Sequence, residues 1–258
     1  MPEITTTYLV LATPRSGSTL LGQALNSTGV AGDPREHFGH KMEFWAQKWG
    51  TTSLPQFTAR LMQERAGDNG VFGAKLLYAH LDRLLRSIAA EPTLADLPPA
   101  RALDALFPDL RYLWITRDDS VRQAISYWKA KETGVWGREA PRAGRTGQGR
   151  RKIVKGGRQT GREAQFDYDG IATLQRAIQE EDAAIGRFFR DNDIAPMHVV
   201  YEAFVRAYEP TTRTVLEFLG ISAPPDLHLG QPRTQKLADD RTEEWVARFQ
   251  ALQAAGPA

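Results

Sequence analysis

Apolar residues run almost unbroken over Tyr8-Leu-Val-Leu-Ala-Thr13 and stop at Pro14, where a small polar segment, Arg15-Ser-Gly-Ser-Thr19, follows. A short continuous run of this kind suits a strand buried on both faces of a sheet. Leu20, Leu21, Ala24 and Leu25 then recur at helical spacing up to Gly29, a residue suited to a helix C-terminus. Strand, tight polar loop and helix are thus predicted for the opening of the chain. Further strands are predicted at Val71–Leu77, Leu110–Thr116 and Met197–Tyr201. Helical patterns accompany them: Val121, Ile125 and Trp128; Ile171, Leu174, Ile178, Ile185 and Phe189; then Val215, Phe218 and Leu219 closed by Gly220. Thr242 is placed to cap a last helix with Trp245, Val246, Phe249 and Leu252 as its apolar stripe. Such alternation predicts an α/β fold, a mostly parallel central sheet with helices on both faces.

No internal repeat is present. Pro92–Pro99 and an Arg/Gly-rich window at about 138–162 read as loops or insertions, because apolar periodicity resumes on both sides of each. The expectation is one domain spanning 1–258, a size within the range of a single core.

Charge changes this picture at one place. The chain sums to only +2, yet the window Arg138–Arg162 holds nine basic residues and one acidic, a balance of +8 that leaves −6 for everything else. A cationic segment on a mildly acidic body asks for an anionic ligand, surface or partner. Six glycines in the window and little that could form a core predict mobility when it is empty. A lid over the active site, a tether for an anionic glycan or lipid surface, and a solvated loop all remain open. The interleaved aromatics of a nucleic-acid stacking platform are missing, so no nucleic acid is expected as partner.

The chain has no cysteine, which excludes disulfide-stapled and zinc-thiolate classes and is compatible with a reducing compartment. No stretch approaches the ~18 apolar residues that cross a bilayer, and the run at Tyr8–Ala12 is too short for a signal peptide. A cytoplasmic protein without stable membrane insertion is expected. His37 and His40 lack a third ligand at a persuasive spacing, so no metal site is expected.

The loop between the first strand and helix carries the clearest chemistry. Parallel sheets bind ligands at the carboxyl ends of their strands, where a helix N-terminus offers free N–H groups to an oxyanion. Gly17 permits close backbone approach, Ser16, Ser18 and Thr19 add hydroxyls, and Arg15 adds a forked cation. An ordinary capped turn is the alternative. The G-x-x-x-x-G-K-[ST] spacing of a nucleotide kinase is absent, which weakens that reading.

Pro-Arg-Ser-Gly-Ser-Thr19 after a first strand resembles the 5′-phosphosulfate loop of sulfotransferases that use 3′-phosphoadenosine 5′-phosphosulfate (PAPS). The longer run Tyr8–Leu21, with Thr28-Gly-Val-Ala-Gly-Asp-Pro-Arg-Glu-His-Phe38, is similar to the trehalose 2-sulfotransferase-like branch known from mycobacteria. Arg117 with Ser126 is similar to the family's 3′-phosphate motif, and Asp240-Arg-Thr-Glu-Glu-Trp-Val-Ala-Arg-Phe249 resembles its C-terminal segment.

The resemblance implies a P-loop NTPase-like three-layer fold and metal-independent transfer of a sulfuryl group from PAPS to a hydroxyl, releasing adenosine 3′,5′-bisphosphate (PAP). On that implication Arg15, Ser16, Gly17, Ser18 and Thr19 hold the 5′-phosphosulfate, and Arg117 and Ser126 hold the 3′-phosphate. Lys236 and Arg241 are further candidates for that phosphate. Glu36 matches the family's proposed base, with Asp33 and His37 as local competitors and His80 as the base type of other branches. Lys75 is a candidate for placing an ammonium beside the transferring group; a strand-end lysine reaching to solvent is its alternative. The expected acceptor is a sugar, a glycolipid or another hydroxyl compound, with Phe44, Trp45 and Trp49 in the region expected to shape its pocket. The resemblance also admits a homodimer. Two rivals stand beside this reading: a nucleotide-dependent small-molecule kinase, and a non-catalytic polyanion-binding module built on the 138–162 window.

Overall fold

The computed structural model describes residues 3–39, 41–139, 151–154, 163–229 and 240–255. In chain order the elements are β1 (Thr6–Ala12), α1 (Ser18–Ser27), α2 (Met42–Trp49), α3 (Leu54–Arg65), β2 (Val71–Leu77), α4 (Tyr78–Ala89), α5 (Pro99–Leu106) and β3 (Leu110–Thr116). They continue with α6 (Ser120–Thr133), β4 (Val135–Glu139), β5 (Arg151–Val154), α7 (Tyr168–Asp191), β6 (Met197–Val200), α8 (Tyr201–Arg206), α9 (Tyr208–Phe218) and α10 (Asp240–Ala255). The main sheet has the order β2-β1-β3-β6, all parallel.

Its three layers follow from the two-residue alternation of the strands. Leu9 and Leu11 of β1 join Phe72, Ala74 and Leu76 of β2 on the face covered by α3, α4, α5 and the end of α7. Tyr8, Val10 and Ala12 point the other way, into a core with Leu21 and Leu25 of α1 and Val215, Leu216 and Leu219 of α9. β1 is buried along nearly its whole length, as its unbroken apolar run predicts. A third cluster lies to the side, where α6, the start of α7 and α10 meet through Ile125, Ile171, Trp245 and Phe249.

Several boundaries differ from the sequence reading. Tyr201 opens α8 instead of ending β6, because β6 pairs with β3 only as far as Val200. Thr242 lies inside α10 and not at its cap, its hydroxyl accepting from Lys129 Nζ at 2.8 Å. The 138–162 window is not loop throughout: Arg138 pairs with Lys152 and Glu139 with Arg151 in an antiparallel ladder. Within that window, residues 140–150 and 155–162 lie outside the described residues, as do His40 and Lys236. No described helix is long and apolar enough to cross a membrane.

The carboxyl edge of this sheet is where the polar segments converge. The stretch after α1 returns across β2, and Arg35 forms a parallel bridge to Ala74, with the Lys75 amide donating to the Arg35 carbonyl at 2.8 Å. That single backbone bond delivers Glu36 to the end of β2.

Candidate active site

The loop between β1 and α1 is built on backbone that few residues tolerate. Gly17 sits at φ +96° as the N-cap of α1, and Arg15 is one of three non-glycine residues at positive φ among the described residues, at 67°. A Cβ on Gly17 would lie 2.3 Å from Cδ2 of Tyr201, so glycine is required both for the dihedral and for the close approach of that ring. The first amides of α1 have no intrahelical acceptor and face the loop. Gln123 of α6, 1 % exposed, fixes the loop's start by donating to Thr13 Oγ1 at 2.9 Å and to the Pro14 carbonyl at 2.8 Å.

Arg15 reaches inward from this turn. Its Nε donates to Ser126 Oγ at 2.9 Å and its Nη1 to the Trp136 carbonyl, spanning more than a hundred residues of sequence. Arg117 Nη1 points to the Arg15 carbonyl at 3.5 Å, and the Arg117 guanidinium lies over the Tyr201 ring at 4.8 Å. Burial first, then the neighbouring Arg117, push the Arg15 guanidinium down to about 10, so it is still a cation at neutral pH. No carboxylate pairs with Arg15 among the described residues. Two buried polar atoms of the cluster, Ser16 Oγ and Arg117 Nε, have no hydrogen-bond partner there. An arginine with no carboxylate partner, orphaned polar atoms and a glycine without Cβ form a setting suited to a phosphate or sulfate.

A second group adjoins it. Lys75 lies on the β2 face that points toward α1, and its Nζ donates to Thr19 Oγ1 at 3.0 Å and pairs with Glu36 Oε1 at 3.1 Å. The lysine is only 7 % exposed, so it does not snorkel to solvent. Of the three candidates for a base, Glu36 is the one in contact with Lys75. Asp33 pairs instead with Arg35 at 2.5 Å. His37 stacks on Phe72 at 5.9 Å, and burial pushes its imidazole down to about 4. His80 lies behind this segment, its Nε2 3.2 Å from where a Gly39 Cβ would stand.

The sequence candidates thus gather in two adjoining sets, Arg15–Ser16–Gly17–Arg117–Ser126 and Thr19–Lys75–Glu36. Arg241 is engaged elsewhere, donating to Glu163 at 3.0 Å and to the Ala164 carbonyl at 2.9 Å. Lys236 lies outside the described residues. Three contributors carry no local sequence signal: Gln123, Tyr201 and Glu202, whose roles arise from contacts across 80 residues or more. Among the described residues no group of His, Asp and Glu is arranged to hold a metal ion.

A family model described as "Sulphotransf: Stf0 sulphotransferase" matches residues 7–252. The trehalose 2-sulfotransferase of Mycolicibacterium smegmatis is 29 % identical over 96 % of this chain and 96 % of its own. That of Mycobacterium tuberculosis is 28 % identical over 95 % of this chain and 94 % of its own. Among solved structures, the sulfotransferase domain of the Synechococcus PCC 7002 olefin synthase covers 98 % of this chain and 90 % of its own at 16 % identity and a TM-score of 0.42. The sulfotransferase domain from the curacin biosynthetic pathway covers 92 % and 81 % at 16 % identity and a TM-score of 0.45.

Proposed function

We propose, for a chain that belongs to the Stf0 sulphotransferase family, that the sulfuryl donor is PAPS and the acceptor a sugar hydroxyl, trehalose being the first sugar to test. The observation that carries this reading is the junction of the two residue sets at Thr19. The anion loop and the Lys75–Glu36 pair meet there, so an acidic donor and an acceptor hydroxyl would share one site.

PAPS, when bound, supplies a sulfuryl group already activated as a mixed anhydride. Arg15, with the amides and hydroxyls of Ser16, Gly17, Ser18 and Thr19, holds the 5′-phosphosulfate end and neutralises charge building on the leaving oxygen. Donors aimed at developing charge favour the transition state over the ground state. Glu36 accepts the proton that the acceptor hydroxyl loses as its oxygen bonds to sulfur. Lys75 holds the Glu36 carboxylate toward the loop and presents its ammonium to the reacting centre. Arg117 and Ser126 hold the second phosphate, and in this reading Lys236 and Arg241 add further charge to it. For Arg241 that means exchanging Glu163, a partner whose side chain is 82 % exposed.

The test is sulfation of trehalose and a panel of other sugars with labelled PAPS, following PAP release. Wild type is expected to transfer sulfate, and Glu36→Gln to lose turnover by a factor on the order of 10²–10⁴. A Glu36→Gln enzyme near wild type, with Asp33 or His37 variants inactive, overturns the assignment of the base.

A further inference from the structure

Glu202 belongs to no motif, yet its carboxylate sits at the centre of the proposed second-phosphate region. Its Oε2 accepts from the Asp118 amide at 3.1 Å and its Oε1 from the Asp119 amide at 3.4 Å. Oε1 also lies 3.6 Å from Arg117 Nε. Among the described residues it is the one carboxylate within ion-pair distance of either Arg117 or Arg15. The β6–α8 junction therefore supplies both the ring beneath Arg117, from Tyr201, and the negative charge at its edge.

We propose that Glu202 is the resident counter-ion of the Arg117–Arg15 pair and competes with the nucleotide's second phosphate, so that it sets how readily PAP leaves. The inference rests on the reading above, in which Arg117 meets that phosphate. Three observations carry it. The Arg117 guanidinium, its side chain only 12 % exposed, lies against the Arg15 backbone carbonyl and within electrostatic reach of the Arg15 guanidinium, and such a pair of cations needs an anion when no ligand is bound. The amides preceding α6, which would otherwise offer themselves to a phosphate, are already taken by Glu202. Arg117 Nε, although near Glu202, makes no hydrogen bond, so the carboxylate neutralises the guanidinium without saturating it. A phosphate arriving at Arg117 therefore finds donors still open and a fixed negative charge beside them. Repulsion between that charge and a dianion outweighs any help the carboxylate gives in orienting the arginine.

Glu202→Gln removes the charge and keeps the shape, with a carbonyl acceptor for one of the two backbone amides. Calorimetric titration of the wild type and the variant with PAP, and with adenosine 5′-monophosphate, which lacks the second phosphate, tests the proposal. Glu202→Gln is expected to bind PAP about tenfold more tightly, with the monophosphate changed by less than about twofold, and to show stronger product inhibition by PAP. Glu202→Ala, titrated in parallel, is expected to shift PAP affinity in the same direction. Damage to the fold weakens binding, so tighter binding is a readout that a purely structural role does not produce. Unchanged or weaker PAP binding in both variants overturns the proposal, and so does equal tightening for both nucleotides, which would place the effect on the Arg15 side. A wild type that does not distinguish PAP from the monophosphate fails differently: it removes the assignment of Arg117 to a second phosphate and takes this inference with it.

Discussion

Gly17 answers two demands at once, and each rules out a side chain for a separate reason. Its φ of +96° is strained for any L residue, and the space where a Cβ would stand is occupied by Tyr201 Cδ2 at 2.3 Å. The ring does not move alone, because the Arg117 guanidinium lies over it at 4.8 Å. Gly17→Ala should therefore displace the loop and Arg117 together. The expected result is a loss of about 1–3 kcal/mol of stability from the backbone conformation alone. Loss of measurable PAP binding should accompany it, checked by thermal melting and calorimetric titration. An alanine variant that binds PAP like wild type would mean that the loop does not meet the nucleotide. Arg15 illustrates the companion principle at the same scale. It adopts positive φ without being glycine, which is costly for a long side chain, and its guanidinium is spent on Ser126 and Trp136 and not on a carboxylate.

At the scale of elements, the site depends on α6 as much as on the loop. This helix carries Ser126 toward Arg15 and Gln123 toward Thr13 and Pro14, while Asp119 caps it through the Arg122 amide at 2.8 Å. Gln123→Ala strands two acceptors, the buried Thr13 Oγ1 and the half-buried Pro14 carbonyl, at a cost of about 1–3 kcal/mol. The loop loses its tether to α6, so the dissociation constant for PAP should rise several-fold while the Glu36–Lys75 pair, on the opposite side of Thr19, keeps its geometry. Equal affinity in the two proteins would show that β1 and α1 alone position the loop. The strands β1, β2 and β3 were legible in the sequence because strands buried on both faces leave continuous apolar runs. Arg15, Glu36, Arg117 and Ser126 are legible as candidates through motif resemblance, and Lys75 through its place on a predicted strand. Helix α2 is hard to read from the sequence because it buries no residue completely, its Trp45 and Trp49 rings meeting at 5.3 Å at the margin of the core. Tyr201 and Glu202 were illegible for another reason. Their partners, Gly17, Arg117, Asp118 and Asp119, are brought to them only by the parallel order of the sheet, which places β6 beside β3.

Across the whole molecule, the three apolar clusters divide the work: two clamp the sheet from opposite faces, and the third holds α6 against α7 and α10. α10 comes from the far end of the chain and closes that cluster with Trp245, 4 % exposed, whose ring is approached by the Lys129 ammonium at 5.0 Å and the Arg241 guanidinium at 5.4 Å. Lys129 also donates to Thr242 and Arg122 pairs with Glu243, so one surface of α6 is held by α10 while another presents Ser126 and Gln123 to the anion loop. Support for the proposed nucleotide side thus passes from α10 through α6. Trp245→Ala removes the largest ring of this cluster and should cost about 3–5 kcal/mol, lowering the melting temperature by roughly 6–20 °C for a chain of this size. Because a ligand that binds only the folded state restores stability in proportion to its occupancy, saturating PAP should raise the melting temperature of this variant, as it should that of the wild type. Thermal melting of both proteins with and without PAP separates the possibilities. A lower melting temperature with the PAP increment preserved fits a helix that stabilises the site without touching the ligand. Loss of the increment at a temperature where the variant is still folded would instead mean that α10 shapes the nucleotide pocket directly, through Arg241.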